Sequence, residues 1–266
     1  LKEHKLSVAM DEINDQSELK FGDLTIYMYR QTHSIPDSLG MFFETPAGNI
    51  VTTGDFKVDF SPPGQKAADF HKMTYLSGKH VDCLLSDSTN AMTPGFSLSE
   101  SEVGKNLKLL ISEAEGRILF TTFASNINRV QQIIQGALAH DRKVCILGRS
   151  LVNGLAIGQK TGYIDIKNKD LIEPKQIKNY KPEEVVIICT GSQGEVLAGL
   201  SRIAHGQNAH IELDSTDTVV FASNPIPGNN FGIGKVIDAL SKTECKVIKN
   251  TDSFKTHASG HASKEE

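Results

Sequence analysis

Three short polar clusters hold the side chains best suited to metal and phosphate chemistry: Thr32-His33-Ser34-Ile35-Pro36-Asp37-Ser38, Thr53-Gly54-Asp55-Phe56-Lys57 and His257-Ala258-Ser259-Gly260-His261. The first two follow apolar runs of β type, which puts His33 and Asp55 where strands end. Neutral imidazole and ionised carboxylate are the usual non-thiolate ligands of Zn²⁺, but three protein ligands is the working minimum for a catalytic site. His33 and Asp55 therefore point to part of a zinc site. Each also has an ordinary reading, His33 as a satisfied structural histidine and Asp55 as a turn former after Gly54. On a helix, His257 and His261 would share a face. The intervening Ser259-Gly260 disfavours that helix and favours a loop presenting N–H groups and imidazoles to a phosphate.

The elements that must carry these residues change character near residue 92. Before it the pattern is β-rich. Leu24, Ile26 and Met28 alternate with Thr25, Tyr27 and Tyr29, a half-buried strand that ends near His33. Gly40–Glu44 and Asn49–Thr52 flank Thr45-Pro46-Ala47-Gly48, which predicts a hairpin. Val81–Leu85 is a further strand, ending in Ser86-Asp87-Ser88-Thr89-Asn90.

From Ser97 the pattern becomes strand, polar turn, helix, repeated. Ser99 with Glu102 predicts a capping box, and Val103, Leu107, Leu110 and Ile111 form a helical stripe. Strands are expected at Arg117–Thr122, Val144–Leu147, Val185–Cys189, Thr218–Ala222 and Lys246–Ile248. Helices are expected through Ile127–Leu138, through Val196, Leu197, Leu200 and Ile203, and over Ile233–Leu240. Such alternation argues for a mostly parallel sheet with helices on its faces. The lysine-rich stretch Ile164–Tyr180 reads as a surface excursion.

Four polar groups follow the carboxyl ends of these strands: Ser125-Asn126, Gly148-Arg149-Ser150, Thr190-Gly191-Ser192-Gln193 and Ser223-Asn224. That edge of an open α/β sheet is where ligands bind, and helix N-termini there suit phosphate. Ser125, Asn126 and Arg149 are accordingly candidate contacts to an anionic ligand, Arg149 because a guanidinium can clasp a phosphate bidentately. The same residues also serve as N-caps and turn formers. Gly228–Lys235 is no phosphate-binding P-loop, since its glycine spacing is one residue too long and Val236 replaces Ser or Thr. Gly191-Ser192-Gln193-Gly194 is no nucleophile elbow.

Composition sets wide bounds. The 266 residues are 39% hydrophobic and 23% charged with a net charge of −4, which gives no global attraction to nucleic acid. The length suits one large or two modest domains. Without an apolar stretch of membrane-spanning length or a signal-like N-terminus, the expected setting is cytoplasmic. Cys83, Cys145, Cys189 and Cys245 lie far apart in or beside apolar runs, so buried, reduced, structural thiols are expected.

Six segments in one order resemble the ribonuclease J family, in the β-CASP branch of the metallo-β-lactamase superfamily. They are His33–Ser38, Gly54–Lys57, Asp87–Asn90, Thr190–Glu195, Ser223–Gly228 and His257–His261. The resemblance implies an α/β chain: a partial metallo-β-lactamase αββα domain over 1–92, an inserted β-CASP domain over 93–256, and a substrate-binding loop over 257–266. It implies that His33 is a zinc ligand and that Asp55 bridges two zinc ions. Asp87 would orient neighbouring histidines. His257, Ala258, Ser259, Gly260 and His261 would bind substrate, with His261 near the scissile phosphate and Ser263 near the RNA 5′ phosphate. The family's activity is zinc-dependent cleavage of single-stranded RNA, endonucleolytic and 5′ to 3′, in rRNA processing and mRNA decay. Metal-activated water attacks the phosphodiester, and a homo-oligomer or RNA-degradation complex is the expected assembly. The family's H-x-H-x-D-H motif does not occur here. The expectation is therefore an internal fragment that binds zinc weakly and cleaves RNA poorly. The alternatives are a non-catalytic RNA-binding or assembly module, and a hydrolase of small esters or lactams.

Overall fold

The computed structural model describes residues 7–226 and 228–266; Leu1–Leu6, and Pro227 within the Ser223–Gly228 segment, lie outside the described residues. Two sheets organise the chain. The first runs in the order β1-β2-β3-β4-β5: β1 (Glu18–Phe21), β2 (Leu24–Arg30), β3 (Leu39–Thr45), β4 (Gly48–Thr52) and β5 (Cys83–Leu85). Its pairs are antiparallel except β4 with β5, and the expected hairpin is β3–β4, with Thr45 opposite Gly48. A helix absent from the sequence reading, α1 (Phe70–Ser77), covers this sheet. Its Leu76 packs on Tyr29 and Phe42.

The second lobe begins with α2 (Glu100–Glu113) and β6 (Ile118–Thr121), then α3 (Ile127–Ala139), β7 (Lys143–Leu147) and α4 (Arg149–Thr161). It continues through β8 (Leu171–Ile172), β9 (Val185–Cys189), α5 (Gly199–Ala204), β10 (Thr218–Phe221), α6 (Asn230–Ser241) and β11 (Lys246–Ile248). Its six strands are ordered β11-β10-β6-β9-β7-β8 and every pair is parallel. Alternate residues point to opposite faces of a strand. Ile118, Phe120, Val144, Ile146, Val186 and Ile188 thus join α2, α3 and α4 in one core. Leu119, Cys145, Ile187, Cys189, Val219 and Phe221 join α5 and α6 in the other. Burial on both faces is what makes these strands continuous apolar runs.

Several local expectations need correction. Ser99 does cap α2, accepting from the Ser101 N–H at 3.2 Å, but Glu102 closes no capping box and pairs with Lys105 instead. The helix expected from Val196 starts only at Gly199, leaving Val196 and Leu197 exposed; a turn through the left-handed Gly194 precedes it. Ile164–Tyr180 is more than a surface excursion. It buries Ile164, Ile166, Ile172 and Ile177 and adds β8 to the sheet edge. Cys145, Cys189 and Cys245 are buried as expected, but Cys83 on the edge strand β5 is exposed.

The lobes are joined by buried charge. Lys57 and Asp59, both nearly inaccessible, face one another at 3.5 Å. Asp59 also accepts from the Ser99 hydroxyl at 2.8 Å and the Glu100 N–H at 3.0 Å. A carboxylate from the first lobe thereby completes the N-terminus of a helix in the second, where an anion complements the free N–H groups and the dipole. Burial pushes the Asp59 carboxyl up, but the Glu100 N–H, the Ser99 hydroxyl and the Lys57 charge together hold it below its usual value. Asp59→Ala leaves Lys57 buried and unpaired, and is expected to lower unfolding free energy by about 3–5 kcal/mol in urea titrations. Because the folded-state value is the lower one, this stabilisation is present above the ordinary carboxylate range and fades as pH falls through the folded value. Asp59→Asn should flatten that acid limb.

Candidate metal and phosphate site

Strand ends of the first sheet bring His33 and Asp55 together. His33 follows β2, and an isolated bridge between Thr32 and Lys57 ties its backbone to the segment after β4. Asp55 follows Gly54, which adopts φ +58 in the left-handed region and lies against the Leu39 carbonyl, where a Cβ would stand 2.8 Å away. Only glycine makes that turn without strain. The His33 Nε2 lies 3.8 Å from Asp55 Oδ2, with the Asp55 side chain 66% exposed. The carboxylate is therefore open to an incoming group.

His261 completes the cluster. One ligand atom from each of His33, Asp55 and His261 lies within 4.8 Å of the others. Sequence reading assigned His261 to catalysis and to substrate binding; the fold also makes it a neighbour of the metal-capable pair. The imidazoles meet edge to face with ring centroids 4.9 Å apart.

Hydrogen bonds set which nitrogen each ring offers. His33 Nδ1 lies 2.6 Å from the Gly260 carbonyl, which can only accept, so Nδ1 carries a proton and Nε2 is the nitrogen turned toward Asp55. The Ser34 hydroxyl donates to that Nε2 at 3.2 Å. His261 Nδ1 likewise lies 2.7 Å from Asp87 Oδ2, leaving its Nε2 as the donor atom. Imidazoles buttressed by an oxygen acceptor behind and offering Nε2 in front are the usual dress of metal-ligating histidines. Two such nitrogens with one carboxylate fit a zinc ion held by three protein ligands.

Asp87 is itself held firmly. Its carboxylate accepts from the Thr89 N–H at 2.9 Å and the Phe56 N–H at 3.3 Å, and its own N–H donates to Thr53 Oγ1 at 2.9 Å. Burial raises its carboxyl value, but the Thr89 N–H, the His261 imidazole and the Thr89 hydroxyl outweigh burial and bring it down to about 2. At neutral pH Asp87 is an anion that orients His261.

The other sequence candidates separate into groups. His257 is tied to Arg129, whose NH1 lies 2.7 Å from Nδ1. Ala258 packs into the core of the second lobe, and the Ser259 hydroxyl accepts from the His261 N–H at 3.0 Å. Gly260 passes so close to His33 that a Cβ would meet its ring at 2.9 Å. Ser263 is buried, its Oγ 3.2 Å from Asn90 Nδ2 and 3.4 Å from Ser97 Oγ, inside an internal network. Asn126 is also buried, and its side-chain oxygen caps α3 by accepting from the Arg129 N–H at 3.1 Å. Ser125 and the exposed Arg149 instead line a cleft of about 880 Å³ with Gly148, Ser150, Thr190 and Arg202. Glu100, Arg129 and Asn250 were absent from the sequence reading. The available signal was a charged residue at 129 beside the apolar stripe Ile127, Val130, Ile133.

Residues 115–240 match the family described as ribonuclease J, β-CASP domain. The whole chain is similar to "Ribonuclease J" of Mycoplasma genitalium, 42% identical over 95% of this chain and 44% of that protein. It is 42% identical to "Ribonuclease J 1" of Streptococcus pyogenes over 100% of this chain and 48% of that protein. With "Ribonuclease J2" of Bacillus subtilis it shares 38% identity over 99% of this chain and 47% of that protein. The chain thus spans a little under half the length of these curated relatives. Among solved structures, a protein of unknown function from Enterococcus faecalis V583 has the same fold, with TM-score 0.65 and 15% identity over 96% of this chain and 57% of that one. Metal-capable strand ends, a parallel helix-flanked sheet and these similarities lead to one assignment: the chain belongs to the ribonuclease J family and carries its β-CASP domain within the metallo-β-lactamase superfamily.

Proposed function

We propose that this chain contributes to zinc-dependent hydrolysis of RNA phosphodiesters, endonucleolytic and 5′ to 3′, in RNA maturation and decay, with single-stranded RNA as substrate. The observation that carries the reading is the paired tautomer control at His33 and His261. Each ring has Nδ1 against an oxygen acceptor, which leaves Nε2 as its free nitrogen, and one ligand atom from each of the two rings and Asp55 lies within 4.8 Å of the others. His33, Asp55 and His261 would hold the ion. A bound zinc supplies a nucleophilic water at neutral pH and neutralises charge on the phosphate.

The chain's own residues do the rest. Asp87, ionised, keeps the Nδ1 proton on His261 and prevents the ring from turning away. Gly260, lacking a side chain, lets the loop carbonyl fix His33. Arg149, exposed on the cleft at the carboxyl edge of the parallel sheet, adds positive charge for the polyanion. Three donors with one exposed carboxylate make a weak site, and a second ion would need donors that these residues do not supply.

Three outcomes test this. Calorimetry on the 266-residue chain should show weak uptake of zinc, erased by His33→Ala and reduced by His261→Ala. Tight uptake of two ions, or His261→Ala with unchanged affinity, overturns the ligand set. Gly260→Ala should weaken zinc binding about tenfold at nearly unchanged melting temperature, because the new methyl displaces the carbonyl behind His33. In a protein of the relatives' full length that contains this chain, Asp55→Ala should lower cleavage of a single-stranded oligoribonucleotide by about 100-fold or more. Undiminished cleavage would refute the reading.

A further inference from the structure

Arg129 is a fully buried guanidinium that the site chemistry above leaves unused. It lies in the first turn of α3, where its N–H donates to the capping Asn126. NH1 donates to the Ala222 carbonyl, just past β10, at 2.6 Å and to His257 Nδ1 at 2.7 Å. NH2 is ion-paired with Glu100 at the start of α2. One side chain therefore joins two helix N-termini, a strand end and the loop that closes the candidate site.

The arrangement is poorly suited to adding stability. Among the described residues Arg129 Nε and Glu100 Oε2 are buried without a hydrogen-bond partner. A buried pair that leaves such atoms unsatisfied gains little over an apolar pair of the same volume. What the pair does secure is the state and place of His257. A guanidinium can only donate, so Nδ1 of His257 must accept, and the ring is neutral with its proton on Nε2. Burial, Arg129 and the nearby Lys57 charge favour the same neutral form and outweigh a contrary pull from the Ala222 carbonyl.

The adjacent backbone is held as well. Asn250 Oδ1 accepts from the N–H groups of Thr256 and His257 at 2.9 and 3.1 Å, and the Thr256 hydroxyl donates to the Phe221 carbonyl at 2.8 Å. The front end of the loop is thus pinned to the second lobe. Its far end, Gly260 and His261, reaches His33 and Asp87 in the first.

We propose that Arg129 is a positioning residue. Braced by Glu100 and the Ala222 carbonyl, it clamps His257 in its Nε2–H tautomer and sets the course of the loop so that Gly260 and His261 meet His33, Asp55 and Asp87. The proposal rests on the RNA reading only for what the loop serves; the clamp itself is a property of the chain.

Arg129→Met alone strands Glu100 as a buried unpaired charge and is expected to unfold readily. The informative protein is the double variant Arg129→Met with Glu100→Met, in which both charges leave together. It should melt close to the parent. Ring ¹⁵N shifts in the parent chain should report a single Nε2–H tautomer for His257. In the folded double variant His257 should become a mixture of tautomers, the His261 ring signals should move, and affinity for a single-stranded oligoribonucleotide should fall about tenfold. A role confined to stability predicts that restored melting restores all of these. A folded double variant whose His257 keeps the single Nε2–H tautomer overturns the proposal, whatever its RNA affinity. If the parent binds no RNA, the RNA reading fails, and the tautomer measurement still decides the clamp.

Discussion

The hydrogen bond between the Gly260 carbonyl and His33 Nδ1, 2.6 Å long, joins positions 227 apart in sequence and closes the chain onto the first sheet. With the 2.7 Å contact of His261 to Asp87, it draws three ligand-type side chains from distant sequence to one point. Neither contact is strong alone, since a hydrogen bond contributes about 1 kcal/mol net. They hold because the second lobe is a rigid platform from which the loop departs. The four central strands of its parallel sheet are buried on both faces, and a close-packed core transmits position faithfully.

Between platform and first sheet runs a seam of buried charge. Lys57 and Asp59 come from the first lobe, Glu100 and Arg129 from the second, and Asp59 caps the helix that Glu100 begins. Desolvated charges lose heavily when mispaired, so a seam of this kind tolerates few relative placements of the lobes. Tyr163 adds an outer contact, its hydroxyl 2.5 Å from Asp37 in the segment that carries His33. Of the three metal-capable residues, the two histidines are held by their Nδ1 contacts, whereas Asp55 is largely exposed. Rigidity resides in the frame and accessibility in the exposed Asp55 carboxylate.

Much of this was legible in the sequence, and the rest was not for identifiable reasons. Alternation and helical stripes located most strands and most of the helices because burial on one face imposes a period. Helix α1 escaped notice, as Phe70, Met73 and Leu76 give a weak stripe over only eight residues. β8 escaped too, its two residues set among lysines. The capping box at Ser99 and Glu102 failed because the Ser99 hydroxyl is engaged by Asp59, forty residues upstream, and by the Ser101 N–H, while Glu102 pairs with Lys105. Local propensity cannot foresee a competitor that arrives through space.

The residue types and order alone established what chemistry was possible: a histidine and a carboxylate at strand ends, a glycine-containing histidine loop, and polar groups along one edge of a parallel sheet. They also carried the family resemblance. Only the tertiary structure decided which nitrogen each imidazole offers, that His261 joins the metal-capable pair, and that Asn126 and Ser263 turn inward while Arg149 stays open. Spacing records covalent neighbours and periodic faces. Tautomers, third ligands and buried partners depend on atoms that approach one another only after both lobes have packed, and no local pattern encodes that meeting.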